Sequence, residues 1–357
     1  MPPGDLRIRR LVSLLRRRGI DLFLCSRLTN IRYLCGFSGS DAVLLVSSGG
    51  AALLTDGRYT VQAQQEVTGA EVAITDRKWR EAARRIRRAR PRRIGFESLH
   101  LSVDLFRLLS RGSEKKWTAL RDTVEGLRMR KDPGEIRAME EAAVAASGAL
   151  LSLFAGGVRG RTESEVAADL EHGMKVLGAE ETSFRAIVAS GPRSAMPHAV
   201  PSRDRIGASD PVVIDFGARK GGYCSDETVT LLPARPSADL RKVYDAVRRA
   251  QEAGIRAIRP GAPCREVDAR VRESLDRSGY LKYFVHSTGH GVGLDIHERP
   301  SLSLRSKDRL AEGMVVTVEP GVYLPGRGGV RLEDMVRVGA SRGERITYLP
   351  KGISRLA

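Results

Sequence analysis

The chain has 357 residues, of which 41% are hydrophobic and 29% charged, with a formal net charge of +17. That length exceeds the usual single domain and calls for two, with real cores beneath a charged, soluble surface. No run of eighteen or more apolar residues occurs, which argues against a transmembrane helix.

The N-terminus, MPPGDLRIRRLVSLLRRRG, has its apolar positions broken by arginine and lacks a continuous signal-peptide core. A cytoplasmic location follows by elimination. Leu6 to Arg18 has an amphipathic helical period, and the apolar strand Asp21 to Cys25 follows it. Ala42 to Val46 and Ala51 to Thr55, separated by Ser-Ser-Gly-Gly, predict a hairpin. Asp56-Gly57-Arg58-Tyr59 opens a helix through Gln62 and Gln65. Strand, basic helix and strand are then expected around Val72–Ile74, Trp79–Arg90 and Arg93–Phe96. These elements make a small α/β domain, residues 1–125.

A boundary falls near Asp122 to Lys131. Just past it, Asp132-Pro133-Gly134-Glu135 supplies an N-cap, a proline at the first helical position and a carboxylate three residues after the cap. An alanine-rich helix runs from there to about Phe154, and another from Thr162 to Leu177. Strands and turns dominate the rest, with helices near Ser237–Ile258 and Cys264–Ser278. The second domain, residues 126–357, reads as α+β and the larger of the two.

The cysteines Cys25, Cys35, Cys224 and Cys264 are scattered without a CxxC pair. They fit neither a disulfide scaffold nor a zinc knuckle and read as reduced and mostly buried. Ten of the seventeen residues from Arg77 to Arg93 are Lys or Arg. Such a run can bind phosphates. Arginine is abundant along the whole chain, however, aromatics are only 5%, and no base-stacking motif accompanies the run. It reads as a solvated helix face whose affinity for nucleic acid is weak and non-specific.

Chemistry concentrates in the second domain. His286, His290 and His297 fall within twelve residues, in His286-Ser-Thr-Gly-His290-Gly-Val-Gly-Leu-Asp-Ile-His297. Glycines 289, 291 and 293 exclude a regular helix and let the backbone approach a ligand closely. A single histidine is more often a satisfied core or surface residue; three in one glycine-rich segment change that balance. The run Pro211-Val-Val-Ile-Asp215 delivers a carboxylate to a strand end. Alone, Asp215 reads equally well as a turn residue. A second strand places Asp226, Thr228 and Thr230 on one face, and a pair of buried carboxylates is costly unless paired or metal-bound. Two more β-branched segments carry Glu319 and, beside Arg331, Glu333. Four carboxylates and one histidine suit manganese, cobalt or iron better than a thiolate zinc site. Their combined charge calls for a pair of ions.

Asp215, Asp226, His290, Glu319 and Glu333, in the segments IDFGA, SDETVT, STGHGVGLDIHE, TVEPGVY and VRLED, stand in the order of the five metal ligands of the pita-bread metallopeptidases. The chain resembles that family. GLRMRKDPGEI is similar to the linker that opens its catalytic domain, while NIRYLCGFSGSDA and LLTDGRY resemble the N-terminal domain of proline-specific members. The likeness spans about residues 20 to 340. It implies an α+β fold: a small α/β creatinase-like N-terminal domain followed by a pita-bread catalytic domain. It implies a hydrolase holding two divalent metal ions, manganese first, with cobalt, zinc or iron as substitutes. Xaa-Pro bonds would be cut by a hydroxide bridging the ions.

In that scheme Asp215 chelates one metal, His290 binds the other, and Asp226 and Glu333 bridge or share them. Glu319 is a ligand that also shuttles a proton, and His297 stabilises the oxyanion. His198 and His286 match substrate-surrounding histidines, with His198 also a catalytic candidate, and Arg331 braces Glu333 or the ligand cluster. Creatinase shares both domains but lacks the ligands, all five of which stand here. The family's arginine after Asp-x-Thr is replaced by Val229, which puts one supporting contact in question.

GFSGSDA and LLTDGRY tip the reading towards an Xaa-Pro aminopeptidase, with Xaa-Pro dipeptidase (prolidase) as the alternative. A peptide or dipeptide with proline at its second position is the expected substrate and a homodimer the expected assembly. A catalytically silent, nucleic-acid-binding relative is the rival from another class, and five intact ligands argue against it.

Overall fold

A computed structural model describes residues 3–111, 116–349 and 351. The chain forms two compact units, Met1–Arg128 and Met129–Ala357.

In the first unit, helices α1 (Pro3–Arg17), α2 (Leu28–Cys35), α3 (Thr60–Glu66), α4 (Lys78–Ala89) and α5 (Val103–Ser110), with the single turn α6 (Glu125–Arg128), accompany six strands. These are β1 (Leu22–Cys25), β2 (Ala42–Ser47), β3 (Gly50–Thr55), β4 (Glu71–Ile74), β5 (Arg93–Glu97) and β6 (Lys116–Leu120). They make one mixed sheet, ordered β4-β3-β2-β1-β5-β6. The expected hairpin closes with Ser47 opposite Gly50, where φ of 130° suits only glycine. Helix α4 lays Ala82, Ala83 and Ile86 on Leu22, Leu24 and Ile94, leaving its arginines outward. Arg84 and Arg85 are neutralised by Glu81 at 2.5 and 2.9 Å, whereas Arg87 and Arg88 are exposed.

The basic face is thus the reverse side of an ordinary amphipathic helix. Changing Arg87 and Arg88 to glutamine should alter peptide hydrolysis by less than about twofold. Retention of duplex DNA, followed by fluorescence anisotropy, should collapse between ~50 and ~200 mM salt. Tight, sequence-selective binding at physiological salt would overturn that reading.

The first unit also buries a carboxylate that local sequence pattern does not reveal. Glu97 accepts from Ser26 N at 2.6 Å, Arg27 N at 2.7 Å and Asn30 Nδ2 at 2.6 Å. It thereby caps the start of α2 from a different element.

In the second unit, α7 (Pro133–Ala155) starts on the expected capping box. Asp132 accepts from Gly134 N and Glu135 N, and Glu135 accepts from Asp132 N. By length and composition α7 could cross a membrane, although charged residues interrupt its apolar run; just over half of that window is buried inside the unit. It packs on α8 (Glu163–Val176) and on a small sheet of β7 (Glu181–Thr182), β10 (Ala218–Lys220) and β11 (Tyr223–Cys224).

A three-stranded antiparallel sheet joins β8 (Ile187–Ser190), β9 (Val212–Phe216) and β12 (Glu227–Leu231). A five-stranded sheet joins β13 (Gly289–Gly291), β14 (Glu298–Leu302), β15 (Val315–Val318), β18 (Asp334–Val338) and β19 (Gly343–Arg345). The hairpin β16 (Gly321–Leu324) and β17 (Gly328–Arg331) completes the strands. Helices α9 (Ala238–Ala257) and α10 (Cys264–Arg277) bury Val247, Ala250, Val267 and Val271 against Val316, Val318 and Val336 of the larger sheet. All four cysteines are buried and free.

Candidate metal centre

The apolar run of β9 places Asp215 within the strand, opposite Thr228 of β12 and Ile187 of β8. Period-two alternation sends Asp226 and Thr228 of the β12 segment to the same side as Asp215. Val229 points to the opposite face, among the buried apolar residues of the α7–α8 core. The residue that replaces the family's arginine therefore faces away from the carboxylates. Val229 packs in the core and leaves the site's own contacts to other side chains.

His290 is carried by the three-residue strand β13. A Cβ on Gly289 would collide with Thr317 O, and one on Gly291 with Arg299 O. The glycines thus let neighbouring strands close on the histidine. Sequence reasoning expected them to admit a ligand, but what they admit is backbone. Glu319 follows β15, its N–H held by Thr288 O at 2.8 Å. Glu333 lies in the link between β17 and β18, and its N–H is bound to Thr228 O at 3.0 Å.

All nine residues singled out from sequence line one cavity of about 570 Å³: Asp215, Asp226, His290, Glu319, Glu333, His198, His286, His297 and Arg331. The donor atoms of Asp226, His290 and Glu333 lie within 4.8 Å of one another. His290 Nε2 is 3.6 Å from Asp226 Oδ2 and 3.5 Å from Glu319 Oε1. Asp215 and Glu319 line the same cavity beside this group.

These residues fit a cation by several tests. His290 Nδ1 donates to Gly291 O at 3.1 Å, so Nε2 turns a lone pair towards two carboxylate oxygens. Three electron-rich atoms facing one another call for positive charge between them. Asp215 Oδ1 is buried without a hydrogen-bond partner among the described residues. Burial first, then the charges of Glu333, Asp215 and Glu319, pushes the Asp226 carboxyl well above its ordinary range. Burial and its neighbours Glu319 and Asp215 do the same to Glu333. Glu319 is pushed up to about 8, by burial first, against the opposing pull of Arg331. His290 is pushed down to about 4 by burial and then by His297. A bound cation reverses this pressure on the carboxylates, and an oxygen-rich set with one imidazole suits a hard divalent ion.

Around the donors runs a network that sequence reading recovered only in part. The buried Arg331 guanidinium donates from Nη2 to Asp215 Oδ2 at 2.6 Å, from Nε to Thr228 Oγ1 at 3.3 Å and from Nη1 to Tyr323 OH at 3.0 Å. Its direct carboxylate partner is Asp215; the expected brace on Glu333 runs through Thr228, whose hydroxyl donates to Glu333 Oε2 at 2.7 Å. His286 Nδ1 lies 2.8 Å from Ser287 O and its Nε2 2.9 Å from Tyr323 OH. This sets the tautomer with the proton on Nδ1, Tyr323 donating to Nε2. Tyr323, in the TVEPGVY segment, carries no local sign of this role, because its partner stands 37 residues away. His297 packs 4.3 Å, centroid to centroid, from His290. It and His198 are exposed at the cavity wall.

Fold and site together define a metal-dependent hydrolase. Residues 137–340 match the model for metallopeptidase family M24, and residues 7–130 that for the creatinase/prolidase N-terminal domain. An Xaa-Pro dipeptidase structure from Bacillus anthracis superposes with a TM-score of 0.94 at 39% identity, covering 98% of both chains. An X-Pro aminopeptidase from Thermotoga maritima MSB8 does so with a TM-score of 0.90 at 36% identity, covering 97% of this chain and 98% of its own. An Xaa-Pro dipeptidase of Pyrococcus furiosus is 35% identical over 344 residues, 96% of this chain and 97% of the relative. The chain belongs to metallopeptidase family M24, with a creatinase-like α/β domain ahead of a pita-bread catalytic domain.

Proposed function

We propose that the protein is an Xaa-Pro dipeptidase, in preference to the aminopeptidase reading drawn from GFSGSDA and LLTDGRY. Relatives at 39% and 35% identity over nearly their whole length bear the name Xaa-Pro dipeptidase. The observation that carries the reading is Arg185. Its exposed side chain lines the cavity, and among the described residues no carboxylate is paired with it. Arg331, the cavity's other arginine, is fully engaged. A dipeptide ends in a carboxylate that must be matched inside the site, and a free guanidinium matches it in a bidentate fashion.

Asp215, Asp226, His290, Glu319 and Glu333 would hold two divalent ions, manganese first by hardness of the donor set. Bound there, the metals supply Lewis-acid polarisation of the scissile carbonyl and a water made acidic near neutral pH. Thr228 and Thr317 aim Glu333 and Glu319. Glu319 carries a proton on its carboxylate towards the departing proline nitrogen. His297 donates to the developing oxyanion, while His198 and His286 border the peptide, the latter fixed by Tyr323. The enzyme would act in the cytoplasm as a homodimer, an assembly whose mass sedimentation equilibrium reads directly.

The test compares kcat/KM for an Xaa-Pro dipeptide, its C-terminal amide and an Xaa-Pro-Yaa tripeptide. The dipeptide should be favoured by more than about a hundredfold, on the order of 3 kcal/mol. Arg185→Gln should raise KM for the dipeptide and leave the amide unchanged. Equal rates on dipeptide and tripeptide would make the enzyme an aminopeptidase.

The histidines should separate by role. His297→Ala should keep its metal by elemental analysis yet lose ~10²–10³ in kcat. His290→Ala should lose metal. Full metal and full rate in both variants would refute the division.

A further inference from the structure

Asp226 and Glu333 come from different sheets, since β12 pairs with β9 while β18 pairs with β15 and β19. No continuous ladder sets the spacing of these two ligands. In front, facing the cavity, the two segments are tied by Glu333 N to Thr228 O at 3.0 Å and by Thr228 Oγ1 to Glu333 Oε2 at 2.7 Å. Behind, strand alternation turns the next residue of each segment, Glu227 and Asp334, away from the cavity.

We propose that Lys351, near the end of the chain, is a positioning residue for the metal centre: a rear clamp that joins Glu227 to Asp334 and so fixes the distance between Asp226 and Glu333. Lys351 Nζ lies 2.6 Å from Glu227 Oε1 and 3.1 Å from Asp334 Oδ1. The three side chains are 9%, 2% and 1% exposed. Tyr244 on α9 donates to Lys351 O at 2.6 Å, which anchors the backbone that presents the amine. The remaining valences are filled: Ser147 Oγ bonds Glu227 Oε2 at 3.1 Å, Thr347 Oγ1 bonds Asp334 Oδ1 at 2.6 Å, and Arg345 Nε bonds Asp334 Oδ2 at 3.1 Å.

Without Lys351, Glu227 keeps only the serine hydroxyl among the described residues, whereas Asp334 keeps Arg345 and Thr347, so the side chain that joins the two carboxylates is gone. Loss of the shared partner then lets the two segments relax apart on the side opposite the ligands, with or without a charge on Glu227. A shift of about an ångström there is enough to spoil a site whose geometry must hold within ~0.5 Å. Lys351 lies outside the region matched by the catalytic family model, residues 137–340, and the mechanism above gives it no part.

The inference rests on Asp226 and Glu333 being ligands, and the test is arranged to tell the two apart. Mn²⁺ affinity is measured by isothermal titration calorimetry on chelator-stripped, full-length protein. Asp226→Ala should abolish binding; if it does not, the ligand assignment itself fails. Lys351→Met should weaken Mn²⁺ at least tenfold, and Lys351→Arg should recover to within about threefold. Val271→Ala, a core truncation between α9 and α10, lowers the melting temperature without touching the clamp and should leave Mn²⁺ affinity unchanged. Should Lys351→Met fail to fold, the double variant Glu227→Gln/Lys351→Met removes both charges together and must still weaken Mn²⁺ tenfold. Parental affinity in a folded clamp variant, or equal weakening in Val271→Ala, overturns the proposal.

Discussion

Asp226→Ala should lower kcat by at least about 10³-fold, more than the ~10²–10³ expected for one oxyanion donor. Its metal content should fall to background, and yet it should remain folded. The reason lies in the arrangement of charge. Asp226 is 4% exposed, and its donor atom sits with those of His290 and Glu333 within 4.8 Å. With a cation bound, that cluster is compensated; with none, burial and three neighbouring carboxylates all oppose its ionisation. Truncation therefore removes a ligand that function needs and a charge that folding does not want. The metal-stripped variant should melt no lower than the metal-stripped parent by calorimetry. Saturating Mn²⁺ should raise the parent's melting temperature, about 2.7 kcal/mol being gained at a hundredfold excess over Kd, and leave the variant's unmoved. A variant that still hydrolyses an Xaa-Pro dipeptide at the parental rate would end the metal-centre reading.

How much of this was legible in the sequence depended on whether the signal was local. Asp215 and Asp226 could be placed because apolar alternation runs up to each of them, and period two settles which side a carboxylate takes. The His286–His297 segment stood out by composition alone. Capping at Asp132 likewise uses neighbours along the chain. What stayed hidden were partnerships chosen by sheet assembly. Tyr323 finds His286, Glu97 finds the start of α2, and Lys351 finds Glu227 124 residues away. None of these pairs has a periodicity to announce it, and each side chain alone reads as ordinary surface or core. The glycines around His290 show an intermediate case. Their need for space was readable, but what fills it, Thr317 and Arg299 backbone, depends on which strands become neighbours. The preference between aminopeptidase and dipeptidase is non-local in the same way: the aminopeptidase reading draws on first-domain motifs, whereas Arg185, on which the proposed dipeptidase reading rests, lines the second unit's cavity.

Arg331→Met should be the most destabilising single change in the site. The guanidinium side chain is 4% exposed and holds Asp215 Oδ2 at 2.6 Å; Asp215 Oδ1 has no hydrogen-bond partner among the described residues. Methionine fills similar volume, so packing is largely kept and the loss is electrostatic. Removing one member of a buried ion pair strands the other and costs roughly 3–5 kcal/mol. For a unit of this size that corresponds to a drop in melting temperature of roughly 6–20 °C. Arg331→Lys should recover little, because an ammonium cannot serve Asp215, Thr228, Tyr323 and Pro197 O together as the planar fork does. Metal should recover more. A divalent ion beside Asp215 replaces the missing positive charge, so the gap between variant and parent should narrow by several degrees when Mn²⁺ is saturating. Differential scanning calorimetry with and without Mn²⁺ measures both quantities. A variant melting within about 2 °C of the parent in metal-stripped buffer would mean that Asp215 is compensated by something other than Arg331. A gap unchanged by Mn²⁺ would mean that Asp215 does not face the metal.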